Sequence, residues 1–124
     1  KNSEIWIDGG HNEAGGEILA NWIKKQKKPV YLIFGMLKSK DSKSFLKHFS
    51  KIVKLGVGVE IPNESKSIPV NEITNDAINV GINAQPSNNI ENAVKTISKK
   101  ITEPSIILIC GSLYLIGHIL KEND

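Results

Sequence analysis

The sequence predicts an α/β fold: a mostly parallel sheet with helices packed on both faces, three layers in all. Two observations predict it. Short apolar runs alternate with amphipathic stretches along the whole chain, which is the pattern of repeated β-α units. Two of the runs, Val30-Tyr31-Leu32-Ile33-Phe34 and residues 105–109, are almost uninterrupted in their apolarity, as strands covered on both sides must be. With 124 residues, 40% of them hydrophobic, the chain has the size and apolar content of one domain with a core of its own.

Each element can be read in order. Residues 4–7 form the first strand. A helix follows over 12–26, with Asn12 as its N-cap and Ile18, Leu19, Trp22 and Ile23 on one inward face. Pro29 opens the segment that contains the second strand, 30–34. Residues 35–41 are a loop, and 42–52 an amphipathic helix with Phe45, Leu46, Phe49 and Ile52 inward. The third strand is expected at 57–61 and a polar loop at 63–69. A short helix over 71–80 ends at Gly81, a residue suited to a C-cap. Residues 83–85 are a short strand. The stripe Ile90, Ala93, Val94, Ile97 and Ile101 defines a helix over 89–101. The last strand is 105–109, and Gly111-Ser112 turns the chain into a final helix over 113–121.

Composition excludes several classes of function. The net charge is +3, and the lysines are dispersed. The densest group, Lys24, Lys25, Lys27 and Lys28, falls at a helix end, where cations suit the helix dipole. There is no arginine, so a nucleic-acid partner is not expected. Cys110 is the only cysteine, which rules out a disulfide framework and a thiolate metal cluster. Cys110 reads as a small buried hydrophobe. No stretch has the length and apolarity of a membrane span, and no signal peptide is visible. A cytoplasmic protein is the expectation. No initiator methionine is present and strand-like sequence starts within four residues, so further chain is expected upstream.

The chemistry is expected where ligands bind in open α/β sheets, at the carboxyl ends of the strands. Three strands end in unusual loops: Asp8-Gly9-Gly10-His11-Asn12, Gly35-Met36-Leu37-Lys38-Ser39-Lys40-Asp41 and Cys110-Gly111-Ser112-Leu113-Tyr114. A parallel sheet places all three on one edge. Asp8 at a strand end suits ribose or another polyol. Gly9 and Gly10 let a ligand approach the backbone, and His11 and Asn12 offer donors at a helix start that favours anions. The same residues also read as a tight turn with Asp8 as a helix cap, and the residues alone do not choose. Gly15 and Gly16 read as helix–sheet packing positions. Ser112 suits a helix cap, a role compatible with donation to a ligand. Lys38 and Lys40 read as solvated loop lysines or as partners of a phosphate or carboxylate, and Tyr114 as a packing residue with a polar tip. His48 and His118 have no metal-like spacing and read as structural. No P-loop, metal set or Ser/His/Asp order is present.

At these three loops the chain resembles the C-terminal domain of folylpolyglutamate synthase/dihydrofolate synthase, of the Mur ligase superfamily. The motifs DGGHNEAGG, FGMLKSKD and GSLYLIG stand in the family's order and at fitting intervals. They cover essentially the whole chain. The resemblance implies a Rossmann-like sandwich of the Mur ligase C-terminal type over residues 1–124, with an N-terminal P-loop ATPase domain lying outside this chain. It implies an ATP-dependent amide-bond ligase that adds L-glutamate to dihydropteroate or folates through an acyl phosphate. The cofactors implied are ATP and Mg2+, the metal held mainly by the N-terminal domain. The implied partners are ATP, L-glutamate, dihydropteroate or folate and that N-terminal domain, in a monomer.

The resemblance also assigns residues. Asp8 and His11 would bind ATP, and His11 and Ser112 the incoming glutamate. Gly9, Gly10, Asn12, Lys40 and Asp41 would face the interdomain or nucleotide site. No metal ligand and no certain catalytic residue is assigned within the chain. Two positions depart from the pattern: Glu13 stands where proline is usual, and Ser39 where aspartate is usual. The family's nucleotide-binding arginine would fall before Lys1. Two other readings remain open from sequence: another Mur-type amide ligase, and a stand-alone nucleotide-binding or regulatory module.

Overall fold

The computed structural model describes residues 3–122. Five strands, β1 (Ser3–Asp8), β2 (Val30–Phe34), β3 (Leu55–Gly58), β4 (Ala84–Pro86) and β5 (Ser105–Cys110), alternate with five helices. The helices are α1 (Glu13–Lys24), α2 (Ser42–Leu46), α3 (Val70–Asn79), α4 (Ile90–Ser98) and α5 (Leu113–Glu122). The strands form one sheet in the order β1-β5-β2-β3-β4, and every pairing is parallel.

Side-chain alternation divides the core between the two faces. Val30, Leu32 and Phe34 of β2, with Ile106, Leu108 and Cys110 of β5, pack against Leu19 and Ile23 of α1, Phe45 of α2 and Ile73 of α3. Tyr31, Ile33, Ile107 and Ile109 face the other way, onto Ile90, Ala93 and Ile97 of α4 and Leu115 of α5. Both central strands are therefore buried along their whole length, as their continuous apolar sequence requires.

The helix ends follow their caps. Asn12 accepts from the Gly15 amide at 2.7 Å and Asn89 from the Asn92 amide at 2.8 Å. Gly81, at φ +96°, follows the end of α3, where a left-handed residue normally stops a helix.

Three local expectations need correction. The third strand runs over Leu55–Gly58, not 57–61. Gly56 and Gly58, poor strand formers, sit inside it because a methyl group at Gly58 would lie 2.5 Å from the Thr74 hydroxyl of α3. Val59 and Ile61 are buried beyond its end. The second helix is regular only to Leu46, and residues Lys47–Phe49 tighten into a 3-10 turn.

On α1 the inward stripe is Gly16, Leu19, Ala20 and Ile23. Ile18 and Trp22 are instead 71% and 45% exposed. They lie beside β1, the edge strand, where no further strand covers them. Gly16 packs against a helix as well as lying in the core: a methyl group there would meet the Phe45 carbonyl oxygen of α2 at 2.7 Å.

The segment 63–69 is a loop, as expected, and it also acts as a brace. Leu37 and Ser67 form an antiparallel bridge. The Lys38 amide donates to the Lys66 carbonyl and the Ile68 amide to the Met36 carbonyl, each at 2.8 Å. The loop after β2 is thereby fixed to the segment between β3 and α3.

Candidate functional site

The strand register brings the three sequence loops to one edge. Asp8 of β1 and Phe34 of β2 both stand opposite Cys110 of β5, so all three strands end level. Backbone hydrogen bonds then join the loops. The Gly111 amide donates to the Gly10 carbonyl at 3.0 Å, and the Gly35 amide to the Cys110 carbonyl at 3.4 Å. Gly111 has φ +110°, and a methyl group on it would lie 2.6 Å from the Gly35 carbonyl oxygen. A side chain at this position would separate the second and third loops.

Two cavities open at this edge, and they divide the sequence-predicted residues. A polar one of about 270 Å³ is lined by His11, Leu37, Ser39, Lys40, Gly111, Ser112, Leu113 and Tyr114. All three loops contribute to it. An apolar one of about 520 Å³ lies beside the β1 edge, with Trp6, Ile18 and Trp22 among its walls and Asp8 at one end. The Trp6 and Trp22 ring centroids are 4.0 Å apart. Asp8 and Ser112 thus share an edge of the sheet but not a cavity.

In the first loop, Asp8 Oδ1 accepts from the Gly10 amide at 2.7 Å. Asp8 closes the turn, and the cap of α1 is Asn12. One acceptor oxygen holds backbone, and the exposed carboxylate still presents its charge at the strand end. His11 follows, and its Nδ1 is buried with no hydrogen-bond partner among the described residues. Such a group costs free energy until a ligand or water meets it.

In the third loop, Ser112 is buried and caps α5, its Oγ accepting from the Tyr114 amide at 3.1 Å. The hydroxyl proton remains free to donate. The first turns of α1 and α5 both end at this edge, and their unpaired amides favour an anion. Tyr114 is 61% exposed, which corrects its reading as a packing residue. Its ring lines the polar cavity.

In the second loop, Lys40 is half-buried in the cavity wall. Asp41 is the N-cap of α2: its carboxylate accepts from the Ser44 hydroxyl at 2.6 Å and the Ser44 amide at 3.2 Å. These bonds hold its carboxyl below the usual carboxylate range, and it does not line the cavity.

Cys110, under the loops, is wholly buried. Burial, with the charge of Asp8 behind it, pushes its thiol far above the ordinary range, so it stays a neutral core group. Among the described residues no cluster of three His, Cys, Asp or Glu side chains comes together to hold a metal ion. Among them, too, no helix is long and apolar enough to cross a membrane.

Comparison with known proteins matches residues 1–122 to the family model for the dihydrofolate synthetase C-terminal domain. The chain is 29% identical over 122 residues to the dihydrofolate synthase/folylpolyglutamate synthase of Bacillus subtilis strain 168, covering 95% of this chain and 27% of that protein. It therefore spans about a quarter of that relative's length. Among solved structures, the Mycobacterium tuberculosis folylpolyglutamate synthase complexed with ADP and AMPPCP matches with a TM-score of 0.85 at 18% identity, over 95% of this chain and 29% of that one. E. coli FolC in complex with DHPP and ADP matches with a TM-score of 0.81 at 19% identity, over 95% and 28%. At these identities the structures establish the fold.

Proposed function

This chain belongs to the dihydrofolate synthetase C-terminal domain family, and from that premise we propose that it is the closing half of an ATP-dependent ligase. The ligase adds L-glutamate to dihydropteroate, folates or both. An N-terminal P-loop domain outside this chain supplies the phosphate chemistry and the magnesium site, and the whole protein is a cytoplasmic monomer. The observation that carries the reading is the convergence of His11, Lys40 and Ser112, from three separate loops, on one polar cavity at the carboxyl edge of the sheet.

The residues of this chain bind and orient. Asp8 accepts from ribose hydroxyls of ATP with the oxygen that the Gly10 amide leaves free. His11, at the start of α1, stands between nucleotide and amino acid, its unpartnered Nδ1 available to either. Ser112 donates its hydroxyl to the α-carboxylate of glutamate at the N-terminus of α5. Gly9, Gly10 and Asn12 let the ligand approach the first loop. ATP, its metal held by the other domain, would supply the γ-phosphoryl group that turns the acceptor carboxyl into an acyl phosphate, with ADP as the leaving group. Closure of the two domains would keep water from that mixed anhydride until the glutamate amine attacks its acyl carbon and phosphate leaves.

The test is amino-acid-dependent release of ADP by the intact enzyme, with dihydropteroate or a folate as acceptor. Release with L-glutamate is expected. Release only with a different amino acid or acceptor would move the chain to another Mur-type ligase. No acceptor-dependent release at all would leave a nucleotide-binding module.

A further inference from the structure

A further cavity lies at the opposite edge of the sheet, at the amino end of β2. Its volume is about 220 Å³, and it is lined by Ile23, Lys24, Lys27, Lys28, Val30 and Ile52. The apolar part of the lining is well covered: Ile23 and Val30 are buried and Ile52 is half-buried. The cationic part comes from the end of α1 and the turn after it. Lys27 stands at φ +55°, a left-handed position that glycine or asparagine usually fills at a helix end. Here it adds a charge to the cavity wall.

Helix polarity accounts for only part of this charge. Cations suit the end of α1, but Lys51 and Lys54 come from the segment after the 3-10 turn. Lys51 precedes Ile52, and the Lys54 amide donates to the Val30 carbonyl at 2.8 Å. Of Lys24, Lys27, Lys28, Lys51 and Lys54, only Lys28 has an ion pair among the described residues, its Nζ lying 3.0 Å from Glu4 Oε2. A cleft with apolar walls and charge of one sign concentrates counter-ions. With Lys28 held by Glu4, Lys24 and Lys27 leave two uncompensated charges in the lining. A dianion neutralises both, and an apolar group attached to it covers Ile23, Val30 and Ile52.

We propose that this cavity binds a small organic dianion, a phosphate monoester or a dicarboxylate with an apolar part, and that the anion competes with Glu4 for Lys28. Glu4 carries the event further. Its Oε1 accepts from Trp6 Nε1 at 3.1 Å, and Trp6 packs on Trp22 in the wall of the apolar cavity. Occupancy at the amino edge is thereby read at β1. The site is independent of the ligase reading and stands without it.

The experiment is a calorimetric titration of the intact protein, with ADP and Mg2+ in excess so that nucleotide sites are filled. The probes are phenyl phosphate, isophthalate, inorganic phosphate and benzoate. At least one of the first two should bind one-to-one, and more weakly as salt rises. Benzoate, with a single charge, and inorganic phosphate, with no apolar part, should bind about tenfold more weakly or less tightly still. The tighter of the two aromatic dianions names the natural class, phosphate or carboxylate. Lys24→Gln combined with Lys27→Gln should weaken binding about tenfold to a hundredfold. The thermal midpoint should be that of the wild type, since both lysines are exposed. Tryptophan emission should change with the same midpoint as binding, and Trp6→Phe should lose that change while still binding. No saturable binding of either aromatic dianion overturns the proposal. Binding that survives the double lysine substitution undiminished places the anion elsewhere and also overturns it. Lysine-dependent binding with no emission change from Trp6 overturns the competition for Lys28.

Discussion

Glu13 Oε2 lies 3.0 Å from Lys47 Nζ and 3.7 Å from His48 Nε2. The residue that stands in place of the family's usual proline thus ties the start of α1 to the turn after α2, and so links the first loop to the element that follows the second. The Lys47 hydrogen bond and charge lower the Glu13 pKa, as Lys28 does for Glu4 and the Ser44 bonds for Asp41. A carboxylate whose pKa is lower folded than unfolded adds stability above its unfolded value and loses it as pH falls through the folded one. The urea midpoint should therefore fall as pH drops from about 4.5 towards 3, across the carboxylate range. All three acids are exposed, so high salt should shrink the effect. Glu13→Gln should make the decline shallower, and an unchanged pH profile would remove Glu13 from the account.

Gly111→Ala should be among the most damaging small changes in the chain. It forces a side chain onto φ +110° and against the Gly35 carbonyl. Strain and overpacking together should cost about 2–4 kcal/mol by urea denaturation. A variant as stable as the wild type would show that the three loops are not locked at this point.

Asp8 holds the turn and presents a charge, and two substitutions separate those tasks. Asp8→Asn keeps an acceptor for the Gly10 amide and removes the charge, whereas Asp8→Ala removes both. In the intact enzyme both should raise the KM for ATP, Asp8→Ala by about tenfold to a hundredfold. Only Asp8→Ala should also lower the thermal midpoint. An unchanged ATP constant in both folded variants would refute the ribose assignment.

The 124-residue chain by itself should fold cooperatively, because both sheet faces carry a filled core. It should bind ATP weakly at most, since one wall of a site leaves few contacts to offset the entropy of association. Glutamate-dependent ATP hydrolysis should be absent until a P-loop domain is joined to it. Turnover by the 124-residue chain would contradict the two-domain proposal.

The fold was legible where the local signal was unambiguous. Val30 to Phe34 and Ser105 to Cys110 carry too much apolar surface for anything but central strands, and Asn12 and Gly81 mark helix ends by chemistry that needs no tertiary context. The inward face of α1 was harder to read. Ile18 and Trp22 are more apolar than Gly16 and Ala20, so periodicity favoured the wrong stripe. Sheet order decided it, by placing β1 at the edge and bringing α2 close enough to require Gly16. The limits of β3 were hidden for a similar reason, since Gly56 and Gly58 make sense only against Ile82 and Thr74.

The three loops of the site could be picked out because their residues are unusual at strand ends. Their division between two cavities could not. Asp8 shares a sheet face with Trp6 and Leu108, whereas His11 and Ser112 lie beyond the strand ends, where the chain turns into α1 and α5. That difference depends on register, which no local pattern encodes. The brace from residues 66–68 onto the second loop was missed too, because a polar segment rich in serine and lysine gives no sign of the strand-like bridge it makes.

Cys110 gives the molecule a built-in chronometer. It is the sole thiol, wholly enclosed in β5 between β1 and β2, and held neutral by its surroundings. A colourimetric disulfide reagent can modify it only after the middle of the sheet has parted. The labelling rate under native conditions therefore reads the frequency of that parting. A nucleotide, an amino acid or a partner domain that steadies the three loops above the thiol would slow the colour change, and each can be scored in this way without any assay of turnover.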